Sequence, residues 1–128
     1  MTQEEKDLLI KDLCARLPYS VKVEYDKCAC EILSIDRFNE ELTIWKCPGC
    51  YPDIELEDAK PYLFPMSSMT EWQERELEIL MKNSIESCGM LSPYDCLEME
   101  RFFNENHIDW RGLIPKGLAN DATGLNIY

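Results

Sequence analysis

Residues 21–57 read VKVEYDKCACEILSIDRFNEELTIWKCPGCYPDIELE, and the fold turns on this stretch. Its period is two. Val21, Val23 and Tyr25 alternate with Lys22 and Glu24, the pattern of a strand with one dry face and one wet face. A second apolar segment covers 28–35, and residues 36–41 read as a hairpin loop around Asn39. A third strand runs over 42–47 and contains Trp45. Pro48-Gly49 marks a turn, because proline presets φ and glycine accepts positive φ. Ile54 and Leu56 then alternate with Asp53, Glu55 and Glu57 as a short fourth strand. Four short antiparallel strands joined by tight turns predict a small curled sheet or barrel, with an SH3-like barrel as one candidate topology.

Helical spacing appears on both sides. Thr2 and Glu5 make a capping box, and Leu9, Leu13 and Leu17 recur every four residues with Ile10 and Cys14 beside them. Pro18 ends this helix, and the charged residues between the leucines are expected to face water. Residues 59–69 read as irregular, with Pro61 and Pro65 bracketing Tyr62, Leu63 and Phe64 as an apolar plug for the sheet. Ser68 with Glu71, or Thr70 with Gln73, caps the next helix, which runs to about Ser87. Leu77, Leu80, Met81, Ser84, Ile85 and Cys88 share one face of it, and Glu74, Glu78 and Glu86 share the other. Gly89 reads as its stop, and Ser92 with Pro93 as the start of a last helix that ends near Asn106. That helix carries Cys96, Met99 and Phe103 on one stripe, with Leu97 and Phe102 adjoining. Trp110, Leu113 and Ile114 make the tail apolar enough to dock, and the residues from about Asn120 are expected to be loose. The expected fold is α+β in one domain over 1–128: an N-terminal helix, a small curled antiparallel sheet and two C-terminal helices.

Composition is that of an ordinary globular chain, with 45% hydrophobic and 30% charged residues in 128. Charge is not ordinary. The net value is -12, and residues 51–110 hold fourteen carboxylates against four lysines and arginines. That field repels phosphate backbones and anionic lipid and attracts a basic protein partner, so nucleic acid and membrane are not expected as partners. The start, Met1 to Lys6, lacks the basic and apolar regions of a signal peptide, and no run approaches a membrane span. The expected location is the cytoplasm. Seven cysteines there are expected as thiols or metal ligands rather than disulfides.

Among possible chemical sites, the leading set is Cys28, Cys30, Cys47 and Cys50. Residues i and i+2 of a strand share a face, so Cys28 and Cys30 can present two thiols together. Cys47-Pro48-Gly49-Cys50 is a tight knuckle with a second pair. Four thiolates in a tetrahedron suit zinc, although C-x-C is closer than the usual zinc spacing. A redox reading of Cys47 and Cys50 needs a helix N-terminus after the pair, and a strand-like segment follows instead. His107 is the single histidine, near Asp109, and with a thiol such as Cys14 it could support acid–base chemistry. The plainer reading makes it a capping or surface residue. Trp45, Tyr62, Phe64, Trp72 and Trp110 could line a groove but at these spacings read as core.

Three further stretches belong together: residues 11–19 (KDLCARLPY), 60–70 (KPYLFPMSSMT) and 107–119 (HIDWRGLIPKGLA). They resemble a group of small proteins from Bacteroides-type gut bacteria and their phages and prophages. The resemblance covers about a quarter of the chain and implies a cytoplasmic accessory protein of a mobile element. It carries over no functional residue, and the four strand cysteines lie outside it. The functional expectation is a non-enzymatic interaction module with its acidic surface toward a protein partner. The alternatives are a small structural zinc protein and a thiol-dependent enzyme.

Overall fold

The computed structural model describes residues 1–88 and 93–128. Helix α1 (Gln3–Arg16) starts at the capping box: Thr2 Oγ1 accepts from the Glu5 amide at 3.2 Å, and the Glu5 carboxylate accepts from the Thr2 amide at 2.9 Å. Its buried face holds Leu9, Ile10 and Leu13. A 3-10 turn at Leu17–Tyr19 ends it, with Pro18 in the turn and Ser20 in the left-handed region.

The alternating stretch becomes β1 (Lys22–Tyr25), β2 (Cys28–Asp36), β3 (Glu41–Trp45) and β4 (Asp53–Glu55). They pair antiparallel in chain order, a meander curled into a half-barrel. Its edges, β1 and β4, do not pair with each other, so the SH3-like topology goes no further than this half-barrel. Asp26 and Lys27 both have positive φ, the geometry of a two-residue hairpin turn that matches the strand twist. At the other end, the Asp36 carboxylate accepts from the amides of Phe38 and Asn39 and holds the β2–β3 loop. Val21, Val23, Cys30, Ile32, Leu42, Ile44 and Ile54 line the inner side against the α1 leucines.

Four expectations need correcting. Residues 62–65 are not irregular: β5 (Tyr62–Pro65) is the centre of a second sheet, flanked in parallel by β6 (Ile108–Asp109) and β7 (Asn120–Asp121). Leu63 fills the core from within this strand. The chain beyond Asn120 is not loose either, because β7 is paired, Ala122 is buried and Tyr128 is bonded to the body. Asp12 and Arg16, expected to face water, are fully buried. Finally, Trp72 is 70% exposed and Trp45 42%, so neither belongs to the core.

Helix α2 (Glu71–Cys88) begins at Thr70 and Gln73, which exchange side-chain bonds with each other's amides. Ser68 instead donates to the Pro65 carbonyl. Helix α3 (Pro93–Glu105) follows. The expected stop at Gly89 and cap at Ser92 lie outside the described residues. The two helices build a smaller second core, where Phe102, Phe103 and Ile108 pack with Met69, Leu77, Leu80, Met99 and Trp110. No helix among the described residues is long and apolar enough to cross a membrane.

Candidate functional site

The meander topology brings both cysteine pairs to one end of the half-barrel. β2 begins at Cys28 where the β1–β2 turn closes, and β3 ends at Trp45 on the same end, just before Cys47. Asp26 in the turn and Lys46 beside the knuckle are joined at 2.8 Å. The Cys50 amide donates to the Cys47 carbonyl at 2.8 Å, and the two residues form an isolated antiparallel bridge. Cys28 is exposed and Cys30 buried. Desolvation, then the neighbouring Cys28, pushes the Cys30 thiol pKa up. Desolvation, then the Cys50 thiol, does the same to Cys47, and the Lys46 ammonium opposes both shifts. A raised pKa is the reverse of what an attacking thiol needs, and a strand, β4, follows the knuckle where a redox motif would have a helix.

Cys14 and His107 do not share a site. Cys14 lies in a surface groove with Asp7, Ile10, Lys11 and Arg37. His107 is 9% exposed and stacks on the Tyr128 ring, centroids 3.6 Å apart. It is thus not a surface residue, although its positive φ of 57° and its amide bond to the Asn104 carbonyl at 3.2 Å close the C-terminus of α3. Burial, then the positive charge of Arg16, lowers its pKa to about 4. The ring is therefore neutral at physiological pH, and its buried Nδ1 has no hydrogen-bond partner among the described residues.

The three stretches singled out at 11–19, 60–70 and 107–119 meet around a buried ion network. Asp12 accepts from Arg16 Nε and from Arg111 Nη1, each at 2.8 Å. Arg16 Nη2 donates to the Ile108 carbonyl at 2.6 Å, and the Phe64 amide donates to the His107 carbonyl at 2.8 Å. Asp109 accepts from the amides of Leu113 and Ile114 and so turns the tail. Arg16 Nη1 is buried in this network without a hydrogen-bond partner among the described residues, and the remaining bonds tie α1 to the segment after α3.

A different surface is left open. Helices α2 and α3 frame a groove of about 410 Å³ lined by Glu76, Ile79, Leu80, Glu98, Arg101, Phe102 and Glu105. On α2, Trp72, Glu76 and Ile79 fall on one stripe by helical spacing, and on α3 Tyr94, Glu98, Arg101 and Glu105 do the same. Ile79, Tyr94 and Leu97 are each more than half exposed. Carboxylates dominate the rim, and the lining's one cation, Arg101, lies 3.8 Å from Glu105. Residues 71–105 carry nine carboxylates against three cations, half of the chain's net charge of -12.

Compared with protein-family models, with curated proteins and with solved structures, the chain gives no match. The reading of the groove therefore rests on its own chemistry. Sequence reasoning located the acidic surplus but not the groove. The available signal was the second apolar stripe of each helix, Trp72 with Ile79 and Tyr94 with Leu97, beyond the stripe that the core consumes.

Proposed function

We propose that this chain is a non-enzymatic protein-interaction module whose α2/α3 groove receives a basic amphipathic helix. The observation that carries this reading is the pairing of an apolar floor, Ile79, Leu80 and Phe102, with a rim of Glu76, Glu98 and Glu105. An amphipathic helix laid into such a groove buries its apolar anchors on the floor and sets its lysines and arginines against the rim. Exposed apolar side chains grouped beside a groove, rather than scattered singly, support an interaction surface. The surplus of carboxylates around it accelerates encounter with a cation-bearing partner and disfavours an acidic one.

The test is a titration of ¹⁵N-labelled protein with a short synthetic Leu/Lys amphipathic helix, using its Leu/Glu counterpart as control. The Leu/Lys peptide is expected to shift the amides of Glu76, Ile79, Leu80, Glu98 and Phe102, with affinity that weakens as salt is raised. Glu76→Lys with Glu98→Lys should abolish the shifts while the protein stays folded. Shifts spread over the whole surface, or equal shifts with the Leu/Glu peptide, would overturn the assignment.

A further inference from the structure

We infer that Trp72 and Tyr94, at opposite ends of the α2/α3 groove, take the two outermost cations of the partner helix on their ring faces and so select a helix of about four turns. The inference rests on the groove reading above and adds to it what the partner must carry. It begins with a repeated pattern. Each helix opens with an aromatic residue followed four positions later by a glutamate, Trp72 with Glu76 on α2 and Tyr94 with Glu98 on α3. Residues four apart on a helix are neighbours, so each ring stands beside a carboxylate of the rim. The two helices run antiparallel, because Gln73 near the start of α2 donates to Asn106 just past the end of α3 at 3.4 Å. Trp72 therefore lies at one end of the groove and Tyr94 at the other, and the two ends repeat one pattern in opposite directions.

The rings of Trp72 and Tyr94 are 70% and 69% exposed, and neither has a cation or another ring against it among the described residues. Three other rings of this chain are already covered by its own cations. The Arg111 guanidinium lies 4.2 Å from the centre of the Trp110 ring, and the ammonium groups of Lys46 and Lys22 lie 5.5 and 5.6 Å from those of Tyr25 and Tyr128. Glu76 and Glu98 likewise stand in no ion pair among the described residues. A ring face with a carboxylate beside it draws a cation by its quadrupole and by a full charge together. Asn106 marks the level of Gln73, and Tyr94 precedes it by twelve residues, about 18 Å along the axis at 1.5 Å per residue. Partner cations that reach both rings are therefore about thirteen residues apart, close to four turns.

The experiment titrates the full chain with a four-turn Leu/Lys helix bearing arginine at both ends, and with the same peptide carrying citrulline, a neutral isostere, at those two positions. Affinity is read by calorimetry, and the indole N–H of Trp72 by NMR. Exchange of both arginines should weaken binding to the parent by roughly four- to twenty-five-fold, at about two- to fivefold for each ring contact. In Trp72→Leu with Tyr94→Leu the same exchange should cost several-fold less, since only the carboxylates remain to sense the charge. In the unaltered chain the Trp72 indole signal should move further with the arginine peptide than with the citrulline peptide. An equal loss in parent and variant, or an indole signal that ignores the exchange, would overturn this inference and leave the groove reading standing. Binding of neither peptide would overturn both.

Discussion

Arg16, on the last turn of α1, donates to the main-chain oxygen of Ile108 at 2.6 Å across 92 positions of sequence. The same guanidinium is held by Asp12, which also holds Arg111. One buried carboxylate thus fixes the helix that opens the chain to the segment that follows α3. Buried ion pairs add little over an apolar replacement of the whole set, but removing one member leaves uncompensated charge. Asp12→Ala is expected to cost about 3–5 kcal/mol, because two arginines lose their shared anion. Urea denaturation at neutral pH measures it, and a loss below about 1 kcal/mol would show that the network is solvated or dispensable.

His107 predicts a pH dependence with a definite sign. Its pKa falls from 6.5 to about 4 on folding, so between those values the unfolded chain binds a proton that the folded chain does not. This group adds nothing to the pH dependence above 6.5. Stability is lost as pH falls toward 4, by up to about 3 kcal/mol. His107→Asn tolerates the positive φ at this position and does not titrate. The stability difference between parent and variant should shrink steadily from pH 7 to pH 4, and a constant difference would contradict the assignment.

The Tyr128 hydroxyl accepts from the Lys22 amide at 2.9 Å and donates to the Tyr62 carbonyl at 2.8 Å. It joins β1 to β5 through the end of the chain. Burial pushes its pKa up to about 12, so it stays a donor throughout the physiological range. Tyr128→Phe keeps the stack on His107 and removes both bonds, at a cost of about 1–2 kcal/mol. Hydrogen exchange should speed up selectively at the Lys22 amide, and unchanged protection there would place the bond elsewhere.

Ile79 and Leu97 separate a binding role from a folding role. Both are more than half exposed on the hairpin of α2 and α3. Ile79→Ser and Leu97→Ser should each leave stability within about 0.5 kcal/mol of the parent while weakening capture of the Leu/Lys helix. A large loss of stability in either variant would mean that the residue belongs to the smaller core.

What was legible in the sequence followed from local rules. The two-residue period over 21–57 produced the meander, the capping pair at Thr2 located the start of α1, and Thr70 with Gln73, one of the two candidate pairs, located that of α2. What was missed depended on partners far along the chain. A charged pair four apart on a helix, such as Asp12 and Arg16, ordinarily faces water, and only Ile108 and Arg111 make burial favourable here. β6 and β7 are two residues each, too short to show a period, and exist because β5 lies between them. The cysteine pairs were visible as spacing, and the order of the hairpins accounts for their lying at one end of the sheet. His107 read as a surface or capping residue, and its burial was missed because the stacking ring that buries it comes twenty-one positions later, at Tyr128.

The central place of β5, with partners from the last fifth of the chain on both sides, sets an order for synthesis. The β1–β2 and β2–β3 hairpins can close as soon as they leave the ribosome, because each needs only its neighbour. β5 must wait for Ile108 and Asn120, and Asp12 must wait for Arg111. Until then the nascent chain carries a buried-type carboxylate and an unpaired strand in water, and closing such distant contacts is slow. A truncation ahead of Asn120 should therefore yield an aggregating fragment rather than a smaller folded protein.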